Sequence, residues 1–452
     1  MTTMLSWHYK YLHEINHWIR FHGSSIGILL TFLQRSRDAL ATTLLNSLSN
    51  NEKLILSYDR SNGHKLLDYR DSYIVRNSDP QICNLGLDWL DLHSAFLALL
   101  NGGTTDELRV ADVEPVDIID RALAINWAQW QNKGMLDRSS ARGVSHVTGI
   151  SVALKANSTT LTTALLLECA AALDEGYPLF RGSLREFTDP ALQRMLKHTM
   201  SGSYGIPYWM AERIAGRAIG PNVVLAMIDF ALNPPIPGLH YGISTVRWEE
   251  LYPPCRFLAA AMSLTKNPVA LEYLEPEPEV LLDSYRKWEI ATGLRMGRVD
   301  ALLTDISNLS GAAELPWVTE RIPHATLMYS IELLRERKRT PHTLSHVGLN
   351  FVGDGALRFV DPSHWWVEGN WWLFPPLRAQ LGVYCWPSER LDQDQATSLF
   401  IGSAVSSALD DILHNIGPLS NQHLPWTALE DPGELAALNN ILHTVTGFKI
   451  GW

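Results

Sequence analysis

The sequence lacks the excess of basic charge that marks many nucleic-acid-binding proteins. Its 452 residues contain 37 lysines and arginines against 48 aspartates and glutamates, a formal net charge of −11. Proteins that bind nucleic acid usually carry a basic patch or stripe. The longest basic stretch here, 335–339, is better explained as the last turn of a helix, where cationic side chains are favoured. We therefore expect no nucleic-acid partner.

Cysteine and long apolar runs are also scarce. The four cysteines, Cys83, Cys169, Cys255 and Cys385, are far apart and form no Cys-x-x-Cys pair. This usage is typical of a reducing compartment and offers no thiolate metal site. The longest apolar run near the start, 26–33, is too short to span a bilayer, and polar residues interrupt any secretory leader. We therefore expect a cytoplasmic protein without a membrane partner.

Hydrophobic periodicity predicts a mainly α fold with a minor β component. Residues 11–48 are predicted to form one long helix or two consecutive ones, with Gly23 and Gly27 as candidate breaks. Leu54–Tyr58 is predicted as a short strand, followed by a turn at 61–64. Further helices are predicted at 86–100, 115–131, 158–176, 190–200, 207–218, 221–232, 256–264, 277–291, 297–309, 324–338, 395–414 and 433–445.

The helix predicted over 158–176 is notable for its apolar centre. Ser158 or Thr159 can cap its start and Gly176 can end it. Glu168 stands alone there among leucines and alanines. A charge in a buried helix is costly unless it is paired or bound to a metal, so Glu168 needs a partner from elsewhere in the chain.

The stretch from His13 to His17 contains the pattern His-Glu-x-x-His, which binds zinc when it lies on a helix. Residues four apart project from one helix face, so both imidazoles can reach one cation. Glu14 lies beside that position, where it can accept a proton from water. The alternative is a structural hydrogen-bond network, because a polar stripe on a buried helix needs partners in either case.

A catalytic zinc usually takes three protein ligands, so a third is needed in addition to His13 and His17. Glu168 is the residue that the sequence singles out, because zinc would explain its isolated charge. His22 is the alternative, but on a continuous helix it points about 180° away from His13. The sequence therefore predicts a zinc site of two histidines and one glutamate.

Arg20 lies on the same helix stripe as the two histidines. A guanidinium there could stabilise an oxyanion during catalysis, or hold a carboxylate behind the ligands. The competing explanation is a structural salt bridge to Asp174 or Glu175. The sequence alone leaves these alternatives open.

The pattern resembles the zincin metallopeptidases, in particular the gluzincin type, in which a later helix supplies a glutamate ligand. The matching residues are His13, Glu14 and His17, then Glu168 followed by Asp174 and Glu175. The longer form Leu-His-Glu-x-x-His-Trp-x-x-x-x-Gly-Ser is also similar to a group of bacterial zincin-like proteins.

This resemblance implies a zincin-like metallopeptidase domain over 1–185 and a helical region over 186–452 packed on it. It implies Zn²⁺ as the cofactor, Glu14 as the general base, and a protein or peptide as the substrate. A bacterial regulatory or defence protease that acts on one protein target, with a regulatory protein partner, would suit a cytoplasmic enzyme of this type.

Other interpretations compete with a protease. A helical scaffold or binding protein would carry a structural or degenerate metal site, closed by a fourth protein ligand. The pair Asp410 and Asp411, with His414, could bind Mg²⁺ in an isoprenoid-type enzyme, but no second acidic motif supports this. The pair is better explained as a solvated helix face. The aromatic stretch 364–372 either packs a core or lines a binding surface.

Overall fold

The prediction of a mainly α fold is confirmed. The computed structural model describes residues 13–67, 72–101, 161–183, 190–236, 248–266, 278–310, 322–347, 377–378, 384–385, 393–414 and 432–447. Within these ranges the β structure is one antiparallel pair, β1 (Leu377–Arg378) and β2 (Tyr384–Cys385), with Leu377 opposite Cys385. The predicted β component is therefore a single short pair in the described residues.

Most predicted helices are present, with ends that differ by a few residues. The helices are α1 (13–22), α2 (Ser25–Ser47), α3 (Asn50–Ser61), α4 (Pro80–Asn101), α5 (Thr163–Ser183), α6 (Pro190–Thr199), α7 (Ile206–Ala215), α8 (Pro221–Leu232), α9 (Trp248–Leu251), α10 (Pro253–Ser263), α11 (Pro278–Thr292), α12 (Val299–Ser310), α13 (Ile322–Arg339), α14 (His342–Ser345), α15 (Gln393–His414) and α16 (Pro432–Thr446). The helix predicted at 115–131 and the aromatic stretch 364–372 lie outside the described residues.

The first predicted helix is divided in two at Gly23 and Ser24. The Gly23 N–H still bonds to the Ile19 carbonyl at 2.8 Å, and the Ser24 hydroxyl then accepts the Gly27 N–H at 3.1 Å, which caps α2. A Cβ added to Gly27 would lie 1.5 Å from the Phe21 carbonyl oxygen. Both glycines therefore allow a junction between α1 and α2 that is too tight for a side chain.

The strand predicted at Leu54–Tyr58 is wrong, because this segment lies inside α3. Ser49 and Glu52 form a reciprocal capping box, with Ser49 N donating to Glu52 Oε2 at 2.7 Å. This cap begins the helix just before the segment predicted as a strand. The turn predicted at 61–64 is confirmed, and Gly63 adopts a φ of 83°.

The end predicted for α5 is also wrong. The helix continues through Gly176 to Ser183. A glycine ends a helix when it takes a left-handed conformation, as Gly216 does after α7 with a φ of 68°. Gly176 has no positive φ and is buried within the helix. Composition alone could not distinguish these two glycines.

One continuous hydrophobic cluster joins these helices. Helix α8 lies within it, and every residue of α8 from Asn222 to Leu232 is buried. A helix that is apolar on all sides can be stable only inside a core. The cluster includes residues on both sides of position 185. Helix α5, which precedes this position, packs against α8, which follows it, as well as against α4. The predicted domain boundary at 185 stays a prediction.

No helix among the described residues combines the length and apolar character needed to cross a bilayer.

Candidate metal centre

Helices α1 and α5 bring the three predicted ligands together. The helix α1 presents His13 and His17 one turn apart, with their ring centroids 4.8 Å apart. The helix α5 presents Glu168, whose Oε2 atom lies 3.1 Å from His13 Nε2 and 3.3 Å from His17 Nε2. The two Nε2 atoms are 3.2 Å apart. Two nitrogen atoms and one oxygen atom therefore face one point, although 150 residues lie between His17 and Glu168 in the sequence.

The spacing of these donors fits a zinc ion. In a tetrahedral site with bonds of about 2.0–2.2 Å, neighbouring ligand atoms lie about 3.3 Å apart. The three distances between the donor atoms, 3.1, 3.2 and 3.3 Å, are close to that value. Two imidazoles and one carboxylate also form a ligand set used by catalytic zinc sites. Both the geometry and the chemistry of the donors therefore suit the metal.

The candidate site is open to solvent on one side. The exposed fractions of the side chains are 14% for His13, 25% for His17 and 34% for Glu168. The sequence suggested a buried Glu168, but this residue lies at the edge of the core while Leu167 and Cys169 beside it are buried. Each helical residue turns about 100° from the last, so one residue of an apolar helix can reach the surface.

Among the described residues, the metal-ligating cluster contains only these three side chains. A structural zinc site is normally closed by four protein ligands, whereas a catalytic site leaves a position for water or substrate. Three protein ligands are the number that a catalytic zinc site usually takes, and these three side chains are partly exposed.

Glu175 provides a contact that sequence reasoning missed. Its Oε2 atom lies 3.2 Å from His13 Nδ1, the ring nitrogen that faces away from Glu168. A carboxylate in this position accepts a hydrogen bond from the Nδ1–H group. The imidazole then keeps its lone pair on Nε2, where it can bind a metal. The available signal was the spacing of Glu168 and Glu175, seven residues apart and hence on one face of α5. The sequence analysis named Glu175 as a candidate partner for Arg20 and as part of the gluzincin-like pattern, but not as a partner for His13.

The carboxylates affect the two histidines differently. The hydrogen bond that His13 donates to Glu175 is the largest influence on the pKa of His13 and raises it. Glu168 also raises this pKa, whereas burial lowers it. Burial is the largest influence on His17 and lowers its pKa, although the charge of Glu168 acts in the opposite direction. Without metal, His13 is therefore the imidazole that binds the proton more readily, and that proton competes with a metal ion.

Replacing Glu175 with glutamine is expected to weaken zinc binding about 10- to 100-fold, the usual cost of losing a partner that orients a ligand. The amide can still accept a hydrogen bond but no longer carries a negative charge. Competition with a zinc-binding chromophore measures the affinity. The control is Glu279→Gln, at an exposed position in the first turn of α11. Equal affinities for the two variants would show that Glu175 does not orient His13.

Glu14 lies outside the three-atom cluster and is exposed on α1. Its charge acts on His17, where it raises the pKa against the larger effect of burial. Glu14 therefore lies close enough to influence the site electrostatically while its carboxylate remains accessible to water.

Arg20 forms the salt bridge that was the competing explanation of its position. Its Nη2 atom lies 2.6 Å from Asp174 Oδ2 and also donates to the Ser345 carbonyl at 2.7 Å. Its Nε atom donates to Asn16 Oδ1 at 2.7 Å, and the side chain is almost fully buried. These bonds connect α1 to α5 and α14 beneath the ligands. A direct catalytic role for Arg20 stays a prediction.

His22 is not brought to the site. Its ring packs against Trp18, with ring centroids 4.4 Å apart, and against Tyr329 at 5.5 Å. Burial lowers the pKa of His22 to about 3, so this imidazole is neutral at physiological pH. The alternative third ligand therefore belongs to an aromatic cluster in the interior.

The sequence suggested that Asp410 and Asp411 form a solvated helix face, and this prediction is wrong. Asp411 is buried and pairs with Arg60 at 2.8 Å, and Asp410 pairs with Arg37. Both carboxylates thus bind arginines that connect α15 to other helices. Two adjacent aspartates are strongly hydrophilic, so the sequence predicts that they face solvent. Their arginine partners come from distant parts of the sequence, and only the fold brings them close.

No protein-family model, curated protein or solved structure matches this chain. The function of the metal centre is therefore inferred from its own geometry and chemistry.

Proposed function

We propose that this protein is a zinc-dependent hydrolase that cleaves peptide bonds. His13, His17 and Glu168 would hold the metal. The observation that supports this proposal most directly is the set of three donor-atom distances between 3.1 and 3.3 Å on a solvent-open face. A zinc ion held there would supply Lewis acidity, which polarises a carbonyl group and lowers the pKa of water.

The residues of the chain would perform the remaining steps. Glu14 is exposed and one position from a ligand, so its carboxylate can accept a proton from the attacking water and pass it to the leaving amine. Glu175 would keep His13 in the tautomer that presents Nε2. The ion pair of Arg20 and Asp174 would keep the two ligand-bearing helices in register.

The main alternative is a helical scaffold with a structural metal site. Such a site would be closed by a fourth protein ligand. The exposed ligand side chains and the accessible Glu14 favour the hydrolase instead.

We further propose that the substrate is a protein or peptide and that the enzyme acts in the cytoplasm. Cys83 and Cys169 are thiols in the structure, which suits a reducing compartment. A regulatory or defence protease of the bacterial type, directed at one protein target and controlled by a protein partner, is consistent with such a setting.

The replacement Glu14→Gln tests the proposed chemistry. The amide cannot act as a base, so turnover is expected to fall by about 10²- to 10⁴-fold while zinc content stays that of the wild type. Both proteins, loaded with zinc, are incubated with a peptide library, and new peptide termini are counted by mass spectrometry. Equal cleavage by the variant would place the base elsewhere. Zinc binding without any cleavage by the wild type would favour the scaffold.

A further inference from the structure

A short turn between α6 and α7 places Tyr204 beside the metal centre. The rings of Tyr204 and His13 have centroids 5.9 Å apart and planes tilted by 44°. Tyr204 is 45% exposed, so its ring is not part of the core. Glu175 holds the Nδ1 side of His13 and Glu168 faces its Nε2 side. Tyr204 therefore borders a ligand whose orientation is already set by other residues.

The backbone of this turn is shaped around two glycines. Gly202 has a φ of 95°, which a residue with a side chain rarely adopts. A Cβ added to Gly205 would lie 1.9 Å from the Met200 carbonyl oxygen, which also accepts a hydrogen bond from Trp209 Nε1 at 2.9 Å. The backbone on both sides of Tyr204 therefore follows a path that favours glycine.

An aromatic side chain held at the surface gains little from burial, so its stabilising contribution is small. What it offers is an exposed aromatic ring beside His13, a proposed ligand of the metal that a substrate would approach. Glu14, Glu168 and Glu175 give the candidate site three carboxylates, and a divalent cation would offset two of their negative charges. An acidic substrate group is therefore disfavoured beside Tyr204, whereas an aromatic or apolar group is not.

On the basis of the proposed metal centre, we infer that Tyr204 forms one wall of a substrate subsite and contacts an aromatic or apolar group adjacent to the metal-binding carbonyl. The ring supplies the contact through its face and edge. This assigns a substrate preference to the site in addition to its chemistry.

Two small hydroxamates test this inference without an assay of turnover. Acetohydroxamate and benzohydroxamate share the metal-binding group and differ by a methyl in place of a phenyl ring. Their dissociation constants are measured by calorimetry on the zinc-loaded full chain. Wild-type protein is expected to bind benzohydroxamate more tightly than acetohydroxamate. Tyr204→Ala is expected to reduce the ratio of the two dissociation constants about 2- to 10-fold, which is the range for an aromatic pair. Tyr204→Phe is expected to retain it.

The control is Tyr58→Ala, at a tyrosine on α3 that is 70% exposed. It should leave the preference unchanged. An unchanged preference in Tyr204→Ala would overturn the inference, as would an equal loss in Tyr204→Phe, which would assign the contact to the hydroxyl group. A loss of zinc affinity in Tyr204→Ala would make Tyr204 a support for His13 and would also overturn it. Failure of the wild type to bind zinc would instead reject the proposed function.

Discussion

Replacing Glu168 with alanine is expected to lower the zinc affinity by more than about 100-fold. A direct ligand should contribute more than a residue that only orients a ligand, whose loss costs about 10- to 100-fold. Glu168 is the one carboxylate in the metal-ligating cluster of the described residues, 3.1 and 3.3 Å from the two imidazole nitrogens. Glu168→Asp should weaken binding less, because the shorter side chain keeps the charge. The affinity is measured by competition with a chelator, and metal content by mass spectrometry.

Two comparisons make this result specific. Glu14→Gln changes a neighbouring carboxylate outside the cluster and should retain zinc. His13→Ala and His17→Ala should lose it, and circular dichroism should show that every variant remains helical. Full zinc affinity in Glu168→Ala, with loss in both histidine variants, would place the third ligand elsewhere. Full affinity in all three variants would reject the metal centre itself.

Replacing Asp229 with alanine is expected to lower the free energy of unfolding by about 3–5 kcal/mol, since it leaves a buried cation without its partner. Asp229 accepts two hydrogen bonds of 2.8 Å from Arg337, and both side chains are buried. The Tyr285 hydroxyl also donates to Asp229 at 2.6 Å. Arg337 Nε in turn donates to the Gly23 carbonyl at 3.2 Å, at the end of α1. Urea unfolding followed by circular dichroism measures the change.

The control is an exposed ion pair formed by the residue that follows Arg337 on α13. Lys338 pairs with Asp300 at 2.7 Å, but both side chains are more than half exposed. Solvent screens such a pair, so Asp300→Ala should change the free energy of unfolding by less than about 1 kcal/mol. Equal effects of the two replacements would show that the buried pair has no special role in stability.

The same pair predicts the pH dependence of this stability difference. Burial alone would raise the pKa of Asp229, but the charge and hydrogen bonds of Arg337 outweigh it, so the pKa is lowered. Because the pKa of Asp229 is lower in the folded state, its ionised carboxylate stabilises the fold. This stabilisation is complete above the pKa that Asp229 has in the unfolded chain, about 4. The contribution disappears as the pH falls below that value and through the folded pKa. The difference between wild type and Asp229→Ala should therefore narrow in acid.

Several features of the protein follow from local sequence alone. The spacing of His13 and His17 places both imidazoles on one face of any helix that contains them, whatever the surrounding fold. Predominantly apolar segments such as Pro221–Leu232 also predict their own helices, because a stretch of this length and composition must be buried. Glu168 was recognisable because an isolated charge in an apolar helix requires a partner.

Other local features needed backbone information that composition does not carry. The Ser-x-x-Glu pattern of Ser49 and Glu52 is a helix-start signal in the sequence, but only the structure showed that it forms a cap and that Leu54–Tyr58 is helical although its residue types favour a strand. Gly176 lies inside helix α5, whereas Gly216 ends helix α7. The difference is the left-handed backbone conformation of Gly216. The same residue type thus has opposite effects in two tertiary settings.

The sequence by itself predicted most of the helices and singled out two histidines and a lone glutamate as candidates for one metal site. Only the tertiary structure decided that α5 packs beside α1, that Glu175 rather than Asp174 contacts His13, and that Asp174 pairs with Arg20. Residues 174 and 175 point about 100° apart on a helix, so the rotation of α5 against α1 selects their partners. That rotation depends on how the whole apolar core is packed, which neighbouring residues in the sequence do not specify.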